Sequence, residues 1–207
     1  MNASLQAYIE QEIIPRYDHF DKAHNRHHVQ VVIERSLAYA RQYNANIDMA
    51  YTIAAYHDVG LCEGRELHHI VSGRIVATDK RLQQWFTPEQ IATICEAVED
   101  HRASSRHAPR SVYGCIVAEA DRQIDTDITL RRTIQYGLKH LNSTNRTLHY
   151  NRFVEHLQEK YAEGGYMQLW LPESDNAHRL KELRTIIANK TQLREIFDRI
   201  FDEECNL

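Results

Sequence analysis

Along most of this sequence apolar residues return every three or four positions, and little interrupts them. Only 7 glycines and 4 prolines occur among 207 residues, and no stretch keeps the alternating apolar–polar rhythm of a half-buried strand. A chain patterned in this way buries one face of each successive helix, so the expected fold class is all-α, a helical bundle. No repeat, low-complexity tract or linker divides the sequence, which leads to a single domain over residues 1–207.

The spacing predicts helices over Leu5–Ile14, ended by Pro15, then His27–Tyr43 and Asp48–Asp58. Gly60 is the expected stop of the third, because glycine accepts the left-handed backbone that ends helices. A fourth helix is expected from Glu66 to about Trp85. The clearest start signal is Thr87-Pro88-Glu89-Gln90, a cap, a proline at the first helical position and a glutamine to close a capping box. That helix leads to His101, and the next is expected over Ser111–Ile124. Thr129–Leu141 and Leu148–Ala162 follow. After Gly164-Gly165, the stretch Tyr166–Pro172 is the least helical piece and could be extended, before a last, kinked helix over Ser174–Asp202.

A net charge of −4 argues against broad nucleic-acid or membrane binding through a global field. Cys62, Cys95, Cys115 and Cys205 form no C-x-x-C pair, which reads as reduced thiols rather than a disulfide frame or thiolate zinc site. No basic leader and no apolar run near the ~20 residues of a membrane span is present, so a cytoplasmic protein is expected.

Thirteen histidines stand out. His57 follows Ile53 by four residues and so points inward, with Asp58 about 100° further round the helix. Asp121 follows Val117 in the same way, and His28 lies nearer its helix stripe than His27. One buried histidine is more often a hydrogen-bonded core residue than a ligand, and a lone His-Asp pair says little. Inward-facing ionisable groups on several helices are another matter, because unpaired buried charge costs several kcal/mol. His28, His57, Asp58 and Asp121 are therefore read as ligands of a divalent ion, with Mn, Fe, Co or Mg suited to two imidazoles and two carboxylates. His68 and His101 could hold a second ion with Asp58 bridging, bind substrate phosphate, or act as general acid. His69 points further from its stripe than His68 but is kept as the alternative. Arg26, Arg102 and Arg106 adjoin these positions and could clamp phosphate, although a solvated surface arginine explains each equally well.

The order His28, His57-Asp58, Asp121 resembles the HD superfamily of metal-dependent phosphohydrolases. Asn25–Val32 is similar to that family's first histidine helix and Ala54–Gly60 to its namesake turn. His68 to Val76, Ala97–His101 and Ile116–Asp121 resemble its later motifs, and the resemblance covers about residues 20 to 125, leaving the helices of 126–207 unplaced. It implies hydrolysis of a nucleotide or similar small phosphoester or phosphoanhydride by a metal-activated water, with Asp58, His68 and His101 in the catalytic set. The alternatives are a diiron oxygenase on an HD-type scaffold and a non-catalytic metal- or nucleotide-binding module. Leu61-Cys62-Glu63 and Ser104-Ser105-Arg106-His107 replace the lysine and Gly-Tyr-Pro segment of many cyclic-dinucleotide phosphodiesterases, which speaks against a cyclic-di-GMP substrate. No synthetase half accompanies the site, which argues against a bifunctional stringent-response enzyme. The expected partner is a small phosphorylated substrate, with no membrane and no stable nucleic-acid binding, and with room for a homodimer.

Overall fold

The computed structural model describes residues 1–21, 23–105 and 107–205, and within them every regular element is helical. The chain forms two compact units, Met1–Arg122 and Gln123–Leu207.

In the first unit α1 (Ala3–Tyr8) does not end at Pro15 as expected. The backbone continues through a π-helical turn (Ile9–Ile13) and a 3-10 helix (Ile14–His19) that carries Pro15 in its first turn. A missing N–H is tolerated there, because the first turn has no carbonyl to bond. Next come α2 (Arg26–Gln42) and α3 (Ile47–Tyr56), capped by the side chains of Asn25 and Asn46. Every residue of α3 from Met49 to Tyr56 is buried, so α3 is the central helix rather than one with a single inward face. It lies among α2, α5 (Pro88–Asp100) and α6 (Val112–Asp121).

The helix expected over 66–85 is two. α4 (His68–Thr78) ends at Asp79, which caps a separate 3-10 helix, Lys80–Gln84, by accepting from the Arg81 N–H. The other carboxylate oxygen of Asp79 accepts from the hydroxyls of Tyr8 and Tyr56, each at 2.5 Å. α4 buries Val71, Ser72, Gly73 and Val76, and Leu67 just before it is exposed. α5 opens with the expected capping box between Thr87 and Gln90.

Gly60 sits in a 3-10 turn, Val59–Glu63, between α3 and α4, and the left-handed glycine there is Gly64, with φ 105°. What Gly60 provides is closeness. A Cβ there would lie 2.1 Å from the His68 carbonyl oxygen and 2.5 Å from the Ser72 nitrogen, and its own N–H donates to Ser72 Oγ at 2.8 Å. The turn after His57-Asp58 is thereby pressed onto the helix that begins with His68.

The second unit holds α7 (Thr126–His140), α8 (Arg146–Lys160), α9 (Asp175–Ala188) and α10 (Lys190–Cys205). The expected kink near the end is a break at Asn189, whose side chain accepts from the Gln192 N–H. Tyr166–Pro172 is non-helical and forms no strand; it buries Met167 and Leu171. Phe153, Leu157, Leu183, Phe197 and Ile200 make the core of this unit.

Candidate metal centre

The proposed ligands come from the ends of five helices in the first unit. His28 is in the first turn of α2, His57-Asp58 follows α3, His68 opens α4, His101 closes α5 and Asp121 ends α6. His57, Asp58 and His101 are buried. A helix end places a side chain at a boundary while its other turns are anchored in the core, so five such ends meet without any loop having to supply a ligand.

Two groups of donor atoms result, each lying within 4.8 Å of one another: His28, His57 and Asp58, and Asp58, His68 and His101. In the first, the Nε2 atoms of His28 and His57 are 3.2 Å apart and lie 3.5 and 3.2 Å from Asp58 Oδ2. Asp121 Oδ1 adds to it, 3.3 Å from His28 Nε2 and 3.9 Å from His57 Nε2. In the second, His68 and His101 have Nε2 atoms 3.0 Å apart, at 3.4 and 3.5 Å from Asp58 Oδ1.

The protonation of these rings follows from their outer nitrogens. Nδ1 of His57 donates to the Ala54 carbonyl at 2.7 Å, that of His68 to Arg65 at 2.8 Å and that of His101 to Val98 at 2.6 Å. With Nδ1 carrying the proton, the neutral ring presents a lone pair at Nε2. Two lone pairs facing each other at 3.0 Å, beside a carboxylate oxygen, repel unless a proton or cation lies among them. The donor set therefore fits a divalent cation at each group, nitrogen and oxygen only, as Mn, Fe, Co and Mg accept.

In the metal-free protein a proton takes the place of the cation at Nε2. Burial by itself lifts the Asp58 carboxyl, but the His57 charge and hydrogen bonds from His101, His28 and His57 hold it well below the usual range. Asp121, where burial again opposes ionisation, is lowered chiefly by His28. Burial lowers the His28 imidazole, and the bonds to Asp121 and Asp58 overcome it, raising it to about 9. His101 is likewise raised by Asp58 against the cost of burial. His68 is lowered, by burial first and then by the charge of His101. His28 and His101, each beside a carboxylate, thus hold positive charge tightly.

The sequence resemblance can now be set beside comparisons with known proteins. Residues 26–123 match the family model for the HD domain. Over that stretch, a little under half of its length, the chain is similar to an HD domain. Among solved structures it is similar to a predicted HD superfamily hydrolase from an uncultured Thermotogales bacterium, with TM-score 0.52 and 20% identity over 76% of this chain and 96% of that one. That likeness is one of fold. No curated protein matches the chain.

The arginines separate. Arg26 is exposed and held by Asp18, with Nε at 2.9 Å and Nη2 at 2.5 Å from its two oxygens, so it is spent on an ion pair at the start of α2. Arg102 follows His101, donates to the Glu66 carbonyl and to Ser104 Oγ, and lies 3.5 Å from His69 Nδ1. Arg106 lies outside the described residues. His69 is therefore not in either donor group; it lines, with Arg102, Ser104, Ser105 and His107, a cavity of about 560 Å³ flanking the HD site.

Sequence reasoning missed two supporting residues. Tyr17, in a segment expected to be loop, is fully buried; its hydroxyl donates to the Ala55 carbonyl at 3.0 Å and accepts from the Asp58 N–H at 3.3 Å. Arg110 clasps buried Asp100, its N–H at 2.7 Å and Nε at 3.0 Å, and also reaches Glu99 and the Glu96 carbonyl. It fastens the loop beyond His101 to the end of α5. A buried tyrosine in the short stretch after Pro15 carries no periodic signal, but Asp100 beside His101 on a helix end was a visible cue.

Proposed function

We propose that this protein is a metal-dependent phosphohydrolase acting on a nucleotide or similar small phosphoester or phosphoanhydride. The observation that carries the reading is Asp58, whose two oxygens each approach a different pair of imidazoles, at 3.2 to 3.5 Å. When bound there, one or two divalent ions would supply charge neutralisation at phosphorus and a water acidic enough to attack at neutral pH.

The remaining roles belong to the chain. His28, His57, Asp58 and Asp121 would hold one ion, and His68 and His101 with Asp58 a second. With Nε2 of His68 and His101 engaged as ligands, neither is free to act as general acid, which narrows the alternatives left by sequence. Arg102 is the charge best placed for a substrate phosphate, since its guanidinium is fixed by Glu66 and Ser104 and lines the neighbouring cavity. His69 beside it is pulled down to about 4, by burial and then by His101 and Arg102, so it meets substrate as a neutral ring near pH 7. A cavity of about 560 Å³ suits a ligand of nucleotide size.

A shared carboxylate among four imidazoles also suits a redox-active iron pair, so oxygen activation is the competing reading. The test is a phosphate-release screen over nucleotides and phosphomonoesters with Mn, Mg, Co and Fe in turn. Asp58→Ala should lose more than about 100-fold in rate, beyond what loss of a ligand's outer partner costs. Unchanged activity in Asp58→Ala refutes the site, and oxygen consumption by an iron-loaded protein that releases no phosphate transfers the assignment to an oxygenase.

A further inference from the structure

The second unit contains a cavity that the metal centre does not use. Its volume is about 460 Å³, and it is a groove between α7 and α8. Arg132 and Tyr136 lie four residues apart on α7, and Arg152, His156 and Lys160 are spaced by four on α8, so each helix presents one stripe to the groove. Tyr161, just past the end of α8, completes this wall.

Three features distinguish the groove from an ordinary basic surface. First, no carboxylate is among the described residues that line it, in a chain whose net charge is −4. The acidic side chain nearest in effect is Glu159, whose charge is felt at His156 but which is absent from the lining. Second, Arg132, Arg152 and Lys160 make no ion pair among the described residues, whereas Arg131, Arg146, Arg194 and Arg199 of the same unit all do. Third, Arg152 is held in place. Its Nη1 donates to the Thr133 carbonyl at 3.0 Å, and its guanidinium lies 4.7 Å from the Tyr136 ring, itself stacked on His140 at 4.0 Å. Lys160 rests over Tyr161, 5.0 Å from the ring centre. His156, lowered by burial and by Lys160 and Arg152, adds a neutral ring between them.

Like charges left together without counter-ions repel one another, and an anion entering the groove relieves that repulsion. A fixed guanidinium with unused N–H donors, a second arginine opposite and an ammonium group match the several oxygens of a phosphate or pyrophosphate. The volume exceeds that of a lone oxyanion and falls in the range of nucleotide-sized ligands. We infer that the α7–α8 groove is a binding site for a multiply charged phosphate ester or anhydride of nucleotide size. Every residue lining it belongs to the second unit, so this site is separate from the metal ligands and does not depend on the phosphohydrolase reading.

Calorimetric titration of the full chain in excess chelator tests this, because phosphate can then find no metal. The probes are ADP, inorganic pyrophosphate and adenosine. ADP and pyrophosphate should bind, adenosine should not, and affinity should fall as salt is raised. The Arg132→Glu, Lys160→Glu pair should weaken both anions by about tenfold or more, while Arg199→Ala, at an ion-paired arginine of the same unit outside the groove, leaves them unchanged. Arg132 is exposed and Lys160 half-exposed, so the fold should survive, and circular dichroism checks it. Absence of binding by both anions, equal binding of adenosine, or undiminished binding in the charge-reversed pair each overturns the proposal.

Discussion

Tyr17 contributes to the metal centre without touching a ligand atom. Its hydroxyl joins the Ala55 carbonyl to the Asp58 N–H, so it fixes the backbone from which the shared carboxylate projects. Tyr17→Phe should cost about 1–2 kcal/mol of stability and weaken metal binding about tenfold, read by thermal unfolding and by competition with a chromophoric chelator. His28 gives a pH prediction. Folded, metal-free protein holds the His28 proton up to about 9, against 6.5 for the free side chain, so this stabilisation is complete below about 6.5 and vanishes as pH climbs through 9. A metal ion must displace the same proton. Affinity should therefore rise by about tenfold per unit from pH 7 toward 9, and His28→Gln should flatten the rise in the same competition assay. At this scale the sequence was informative wherever a side chain's direction follows from its own helix, as for His28, His57 and Asp121. It did not reveal the partner of Arg26, because the Asp18 that engages it lies in a segment with no periodic pattern.

Helices whose ends are decided locally were legible, and those whose ends are decided at a distance were not. The α5 start needs only Thr87 to Gln90, four residues whose first and last bond each other. Thr87→Ala should cost about 1 kcal/mol in thermal or denaturant unfolding and leave metal stoichiometry untouched. The break at Asp79 has another origin. Tyr8 and Tyr56 converge on its carboxylate from remote parts of the chain, so nothing within 66–85 announces it. Gly60 is similar: its residue type was noticed, but its reason, contact with the backbone of His68 and Ser72, exists only after α4 has docked. For α3 the pattern misled in degree, since a helix buried on all sides still shows Met49, Ile53 and Tyr56 along one stripe.

For the molecule as a whole, the division at Arg122 and Gln123 falls between two helices with no glycine, proline or serine run to mark it. All six proposed ligands lie before that boundary. Adding metal to chelator-treated protein should thus slow amide hydrogen exchange in α2 to α6, while amides of α7 to α10 keep their rates; uniform protection across both units would contradict this. The imidazoles of the centre have a longer consequence. His57, His68 and His101 each spend the Nδ1 proton on the carbonyl three residues upstream, so the aim of every one is written into a single turn of its own chain. Arg102, Ser104, Ser105, His107 and Arg110, which line the neighbouring cavity, have no part in that aim. Such a scaffold can exchange one clientele for another over evolutionary time by rewriting a loop, with its inorganic chemistry inherited intact.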